Sequence, residues 1–204
     1  MGARASPSTL AGPKRFQPVP VALSALPPID LVLVSHDHYD HYDHLDHPTI
    51  RELARMQVPF VTSLGVGAHL EAWGVAPERI TELDWWQSLT VHGADGQGEL
   101  SVSATPSQHF SGRGLKDRNA TLWSSLVIRS AKHSVFFSGD TGLTNESTAI
   151  RQRFGQFDLV EPSRAEAVTP WWREVDARRR GKAAVPAQAP EPMTLPKAMP
   201  WPVD

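Results

Sequence analysis

Apolar positions along this chain come in short runs. The first clear one is Ile29-Asp30-Leu31-Val32-Leu33-Val34. Its β-branched character, apolar on both faces, predicts a strand over 29–34 that is covered on both sides. Next, Pro48 to Met56 reads as a helix: Pro48 suits a first turn, and Ile50, Leu53 and Ala54 share one face. Val58 to Thr62 predicts a strand, Gly65 to Trp73 a helix stopped by Gly74, and Ile80 to Leu83 another strand. Ser88 to His92 and Leu100 to Ala104 predict a β pair around the turn Gly93-Ala94-Asp95-Gly96. Strands at 121–128 and 134–138 follow, joined by a tight polar connection over 129–133. A helix over 146–154 and a strand over 157–160 complete the pattern. The alternation predicts an α/β fold with a large sheet component.

The flanks read differently. Pro13, Pro18, Pro20, Pro27 and Pro28 block a helix or a central strand, so residues 1–28 are expected to be an extended lead-in. Residues 161–204 hold eight of the 18 prolines and the basic run Arg178-Arg179-Arg180. Periodicity is lost there, and the segment is expected to be a disordered tail, because too little apolar surface is available to offset its ordering entropy. Residues 29–160 are then the folded domain.

Composition adds limits. With 204 residues, 40% hydrophobic and 21% charged, the chain suits one globular domain. A formal net charge of -2 gives no electrostatic footprint for nucleic acid. No run approaches the roughly 20 apolar residues of a membrane span, and the start has no secretory-leader pattern, so a cytoplasmic protein is expected. There is no cysteine, so any metal must be held by histidine and carboxylate.

The densest chemistry lies just after the first strand. Five of the nine histidines fall between His36 and His47, interleaved with Asp37, Asp40, Asp43 and Asp46. Imidazole and carboxylate suit zinc, manganese or non-haem iron. In an extended segment, His36 and His38 point to one side and can reach one metal. Asp40 and His41, after a turn, can face a second. His109 in Thr105-Pro106-Ser107-Gln108-His109 and Asp140 in Ser138-Gly139-Asp140-Thr141-Gly142 each follow a predicted strand. Asp140, at a glycine-flanked turn, could bridge two metals with its two oxygens.

The pattern His36-x-His38-x-Asp40-His41 after a buried strand, then His109, then Gly139-Asp140-Thr141, resembles the metallo-β-lactamase-fold hydrolases. Ser35 to His41, Thr105 to His109, Leu122-Trp123-Ser124-Ser125 and Phe136 to Gly142 resemble one branch in particular. That branch is the N-acyl-phosphatidylethanolamine-hydrolysing phospholipase D group and its bacterial relatives. The resemblance implies an αββα four-layer sandwich, incomplete here, with two zinc ions at one edge. It implies that His36, His38 and His109 hold the first zinc, that Asp40 and His41 hold the second and act in catalysis, and that Asp140 bridges them. A metal-bound hydroxide would attack a phosphodiester or related ester in a small or lipid-like substrate. Two alternatives stay open: a catalytically impaired, truncated relative binding one metal or none, and a lactonase or β-lactamase of the same fold.

The sequence departs from the family pattern in three places. No histidine follows His133, whereas the family supplies a late ligand to the second zinc. The family's additional first strands are also missing, which predicts an exposed sheet edge. Finally, Tyr39-Asp40-His41 is followed by Tyr42-Asp43-His44, a tandem repeat, so Asp43 and His44 could take the places of Asp40 and His41. Arg113, shortly after His109, could meet a substrate phosphate or carboxylate. His44 and His47 are expected to be exposed, His69, His92 and His133 to be structural, and Trp85, Trp86 and Trp123 to be packing residues.

Overall fold

Two parallel crossovers open the fold. In the computed structural model, which describes residues 21–38, 45–92, 98–114, 116–142 and 144–161, β1 (Val32–Val34) leads through α1 (His47–Arg55) to β2 (Phe60–Ser63). From there α2 (Gly67–Ala72) leads to β3 (Ile80–Leu83). The three strands form a parallel sheet in the order β1-β2-β3, with β1 at an edge among the described residues. Helix α1 is amphipathic, with Thr49, Ile50, Leu53 and Ala54 buried. Asp46 caps it, taking the Thr49 N–H at 3.1 Å and the Thr49 hydroxyl. Such a cap contributes about 1 kcal/mol. Pro48 sits in the first turn, where no N–H is needed.

The second sheet contains β4 (Ser88–His92), β5 (Glu99–Thr105), β6 (Ser125–Arg129), β7 (Ser134–Phe137) and β8 (Leu159–Glu161), in that order. The first four are antiparallel neighbours, and β8 returns parallel to β7 after α3 (Glu146–Phe154). One core lies between the first sheet and its helices: Val34, Ile50, Leu53, Phe60, Val66 and Leu70 are among its members. A second core joins the two sheets through Val61, Leu83, Val102, Ala104 and Leu126. Side chains alternate along β6, so Val127 and Arg129 face away from that core. On that outer side Arg129 donates to the Phe154 carbonyl at the end of α3. The layers therefore run helix, sheet, sheet, helix, an α/β arrangement of the αββα kind. No described helix is long and apolar enough to cross a membrane.

Several sequence expectations are corrected. The first strand is shorter than 29–34, and the lead-in contains a 3-10 turn at Leu23–Ala25 before Pro27-Pro28. Residues 121–124 are connection rather than strand. Their backbone is drawn elsewhere: Leu122 N–H to the Leu64 carbonyl at 2.8 Å and Ser124 N–H to the Ser35 carbonyl at 2.9 Å. The histidine-rich residues 39–44, the glycine turn at 93–97 and the proline-rich segment from 162 onward lie outside the described residues.

Candidate metal centre

Topology gathers the candidate ligands at one edge. β5 and β7 are both antiparallel to β6, so they run in the same direction and end on the same side. His109 follows the end of β5 and Asp140 follows the end of β7. The end of β1 meets them there through hydroxyl and backbone bonds. Ser63 Oγ, at the end of β2, donates to the Ser35 carbonyl at 2.6 Å and lies 3.0 Å from Ser124 Oγ. Ser125 Oγ donates to the Ser138 carbonyl at 2.6 Å. These short hydroxyls fit where the two sheets converge and add hydrogen bonds to buried strand-end carbonyls.

The result is a cluster of His36, His38 and His109, with one ligand atom from each lying within 4.8 Å of the others. His36 and His38 are buried. Ser35 Oγ stands 2.8 Å from His36 Nδ1. That bond occupies the Nδ1 side of the ring, so Nε2 is the nitrogen through which His36 could serve a metal. His38 Nδ1 and His109 Nε2 face each other at 3.0 Å. Two nitrogens held at about 2.0–2.1 Å by one tetrahedral ion stand roughly 3.4 Å apart, close to this spacing. Three convergent imidazoles without cysteine therefore fit a borderline metal such as zinc.

Asp140 joins at the margin: its Oδ2 lies 3.8 Å from His109 Nε2, with its side chain 36% exposed. Gly139 makes this turn fit. Its φ is +58°, and a Cβ there would come within 3.0 Å of the Ser124 carbonyl oxygen and 3.1 Å of Ser35 Cβ. The His109 and Asp140 loops are tied reciprocally: Gln108 N–H donates to Thr141 Oγ1 at 2.9 Å, and Gly142 N–H to the Gln108 carbonyl at 2.8 Å. Phe110 covers the cluster, its ring 3.9 Å from that of His38 and 4.8 Å from that of His109. Beside the site, a cleft of about 480 Å³ runs along β1 toward His36 and Asp140.

The candidates Asp40 and His41, and their alternatives Asp43 and His44, lie outside the described residues. Arg113 is half-buried. It donates from Nη1 to the Asp37 carbonyl at 3.2 Å and stacks over the Trp73 ring at 5.0 Å. Asp117 accepts the Arg113 and Gly114 N–H groups at 3.0 and 2.7 Å, and these bonds, led by that from Arg113, hold its carboxyl below the usual range.

Three residues carry more than the sequence suggested. Asp37, 1% exposed, faces away from the histidine pair between which it sits. Its Oδ1 accepts the Thr121 hydroxyl at 2.9 Å and the Gly112 N–H at 3.4 Å. His69, expected to be structural, places Nε2 3.0 Å from Asp37 Oδ2. Burial alone would raise the Asp37 carboxyl. The hydrogen bonds from His69 and Thr121, the His69 charge and the Gly112 N–H together outweigh it and hold the carboxyl below its ordinary value. His47 is half-buried rather than exposed, because Trp73 packs on it at 5.1 Å. Only the alternation of the His36-x-His38 segment could have pointed to Asp37. Nothing in the sequence near His69 signals its partner, which lies 32 positions away. Trp123 packs as expected, buried against Trp85 and donating to the Ser107 carbonyl.

Comparison with known proteins adds ancestry. The family model described as "Beta-lactamase superfamily domain" matches residues 4–170. An uncharacterised protein of Mycobacterium tuberculosis is 50% identical over 158 residues, 77% of this chain and 40% of that protein. The N-acyl-phosphatidylethanolamine-hydrolyzing phospholipase D 1 of Caenorhabditis elegans is 35% identical over 161 residues, 77% of this chain and 44% of that protein. A metal-dependent hydrolase of Anaeromyxobacter dehalogenans is 25% identical over 155 residues, 74% of this chain and 53% of that protein. The chain thus spans about half or less of the length of these relatives.

Proposed function

The chain belongs to the beta-lactamase superfamily, and on that premise we propose that it is a zinc-dependent hydrolase of a phosphodiester or related ester. The observation that carries this is the convergence of His36, His38 and His109 at the ends of strands from both sheets. His36 would bind through Nε2, His38 through Nδ1 and His109 through Nε2. Asp140 would bridge toward a second zinc held by Asp40 and His41, or by Asp43 and His44 in their place. A bound zinc supplies Lewis acidity and lowers the pKa of water to about 7.

The chain's own residues prepare this chemistry. His36 and His38 are buried, whereas the Asp140 side chain at the margin is open to solvent. Asp140 is half-exposed and can hold water at the margin of the donor set. Arg113, anchored on the Asp37 carbonyl, is the candidate cation for a substrate anion. The phosphodiester class is supported by the C. elegans relative, whose name states that it hydrolyses an N-acyl-phosphatidylethanolamine.

The test is to assay the purified chain against bis(p-nitrophenyl) phosphate, vesicles containing N-acylated phosphatidylethanolamine, a homoserine lactone and a β-lactam. Each assay is run before chelation, after it, and after zinc is restored. Phosphodiester cleavage that is lost with chelator and regained with zinc is the expected result. Turnover of the lactone or β-lactam alone would reassign the substrate. Tight zinc binding without any turnover would identify a catalytically impaired relative.

A further inference from the structure

We infer that Asp37, held by His69, is a positioning residue that fixes the His36/His38 pair against the loop carrying His109. This inference rests on the zinc-centre reading above. Asp37 sits between two ligands in an extended segment, so its side chain leaves the segment on the side opposite theirs. Among the described residues, its partners on that side come from other elements. Thr121 and Gly112 come from the connection between β5 and β6, the same connection that presents His109. His69 comes from α2. The Asp37 carbonyl takes Arg113 from that connection as well. One residue thus binds the first ligand segment to the third ligand's loop and to a helix of the first sheet.

The cost of this arrangement argues for a purpose beyond packing. A carboxylate that is 1% exposed is expensive to bury, and an apolar residue would fill the space at lower cost. What a carboxylate offers is two fixed acceptors for donors that arrive from separate elements. Fixing ligand segments in this way before metal arrives preserves affinity that would otherwise go into ordering them. Residues behind a metal's ligands typically change affinity 10–100-fold when altered.

The side chain of His69 is 32% exposed, so it can be altered with little disturbance of the core. Trp73 lies beside it, ring centroids 6.1 Å apart, and would tolerate an aromatic replacement.

The test measures zinc dissociation constants by competition with a chromogenic chelator, together with the visible spectrum of the cobalt-substituted protein. It compares the full wild-type chain with Asp37→Asn, His69→Phe, His69→Gln and His109→Ala, all well below their unfolding temperatures. Asp37→Asn is expected to weaken zinc about 10–100-fold and His69→Phe about 10-fold, with an altered cobalt spectrum in both. His69→Gln, which keeps a donor toward Asp37, is expected to recover most of the affinity. If Asp37→Asn does not fold, His69→Phe decides. Affinity within twofold of wild type and an unchanged cobalt spectrum in the folded variants, with only the unfolding temperature reduced, would overturn the inference while leaving the zinc centre standing. Equal zinc binding by wild type and His109→Ala would overturn the zinc centre itself, and the inference with it.

Discussion

The two edges of the sandwich use similar residues to opposite ends. At one edge, the connection between β6 and β7 turns through Ser130 and His133. Ser130 Oγ accepts the Lys132 and His133 N–H groups at 3.3 and 3.1 Å, and His133 is exposed. Asp158 Oδ2 accepts the Ser134 N–H at 2.7 Å nearby. These serine, histidine and aspartate side chains shape a wet turn, and solvation costs them nothing. At the other edge Ser35, His36, Asp37, His38, Ser124 and Ser138 are all buried. Several of them bond one another or strand-end carbonyls, as Ser35 Oγ does with His36 Nδ1 and the Ser124 N–H with the Ser35 carbonyl. Burying that many polar groups costs stability unless each is paired. The difference shows that the second edge is organised around its histidines, while the first only closes a hairpin.

The sharpest way to break the comparison is at the ligands. His38→Ala should abolish turnover and weaken zinc by more than about 100-fold, since it removes a donor outright. Unchanged turnover and zinc content would refute its role. Next comes the backbone that seats Asp140. Gly139→Ala adds a Cβ at positive φ within 3.0 Å of the Ser124 carbonyl. It should cost about 2 kcal/mol in urea unfolding, as expected for an L residue held in the left-handed region, and should reduce activity further by displacing Asp140. Ser63→Ala removes the hydroxyl bonded to the Ser35 carbonyl. It should cost about 1 kcal/mol by removing one of that carbonyl's two hydrogen bonds, the Ser124 N–H bond being kept, measurable by the same titration. Ser130→Ala, at the wet edge, should change stability by less than about 0.5 kcal/mol and zinc affinity not at all. A large loss there would erase the distinction between the edges.

Much of this was legible beforehand. The short apolar runs located the strands because β-branched residues buried on two faces leave a clear trace. Helix α1 announced itself through Pro48 and the spacing of Ile50, Leu53 and Ala54. The positions of His36, His38 and His109 followed from strand ends and from the family resemblance. What escaped was the support behind them. Thr121 to Ser124 looked like strand by composition, yet their backbone bonds go to Leu64 and Ser35, contacts between residues far apart in sequence. His69 reads only as structural, because a histidine on a helix has no local sign of a carboxylate 32 residues earlier. Gly139 reads as part of a tight turn, but its need comes from the close approach of Ser35 and Ser124, which the meeting of two sheets creates. Local pattern reports periodicity. It does not report which loops share an edge.

If His36, His38 and His109 form one metal centre, losing any one of them must disable it. Calorimetric titration of zinc into the metal-free chain, beside His109→Ala, is the decisive measurement. A tight binding event is expected in the wild type that His109→Ala eliminates, leaving only weak association with the remaining histidines. Superimposable isotherms for the two proteins would contradict it.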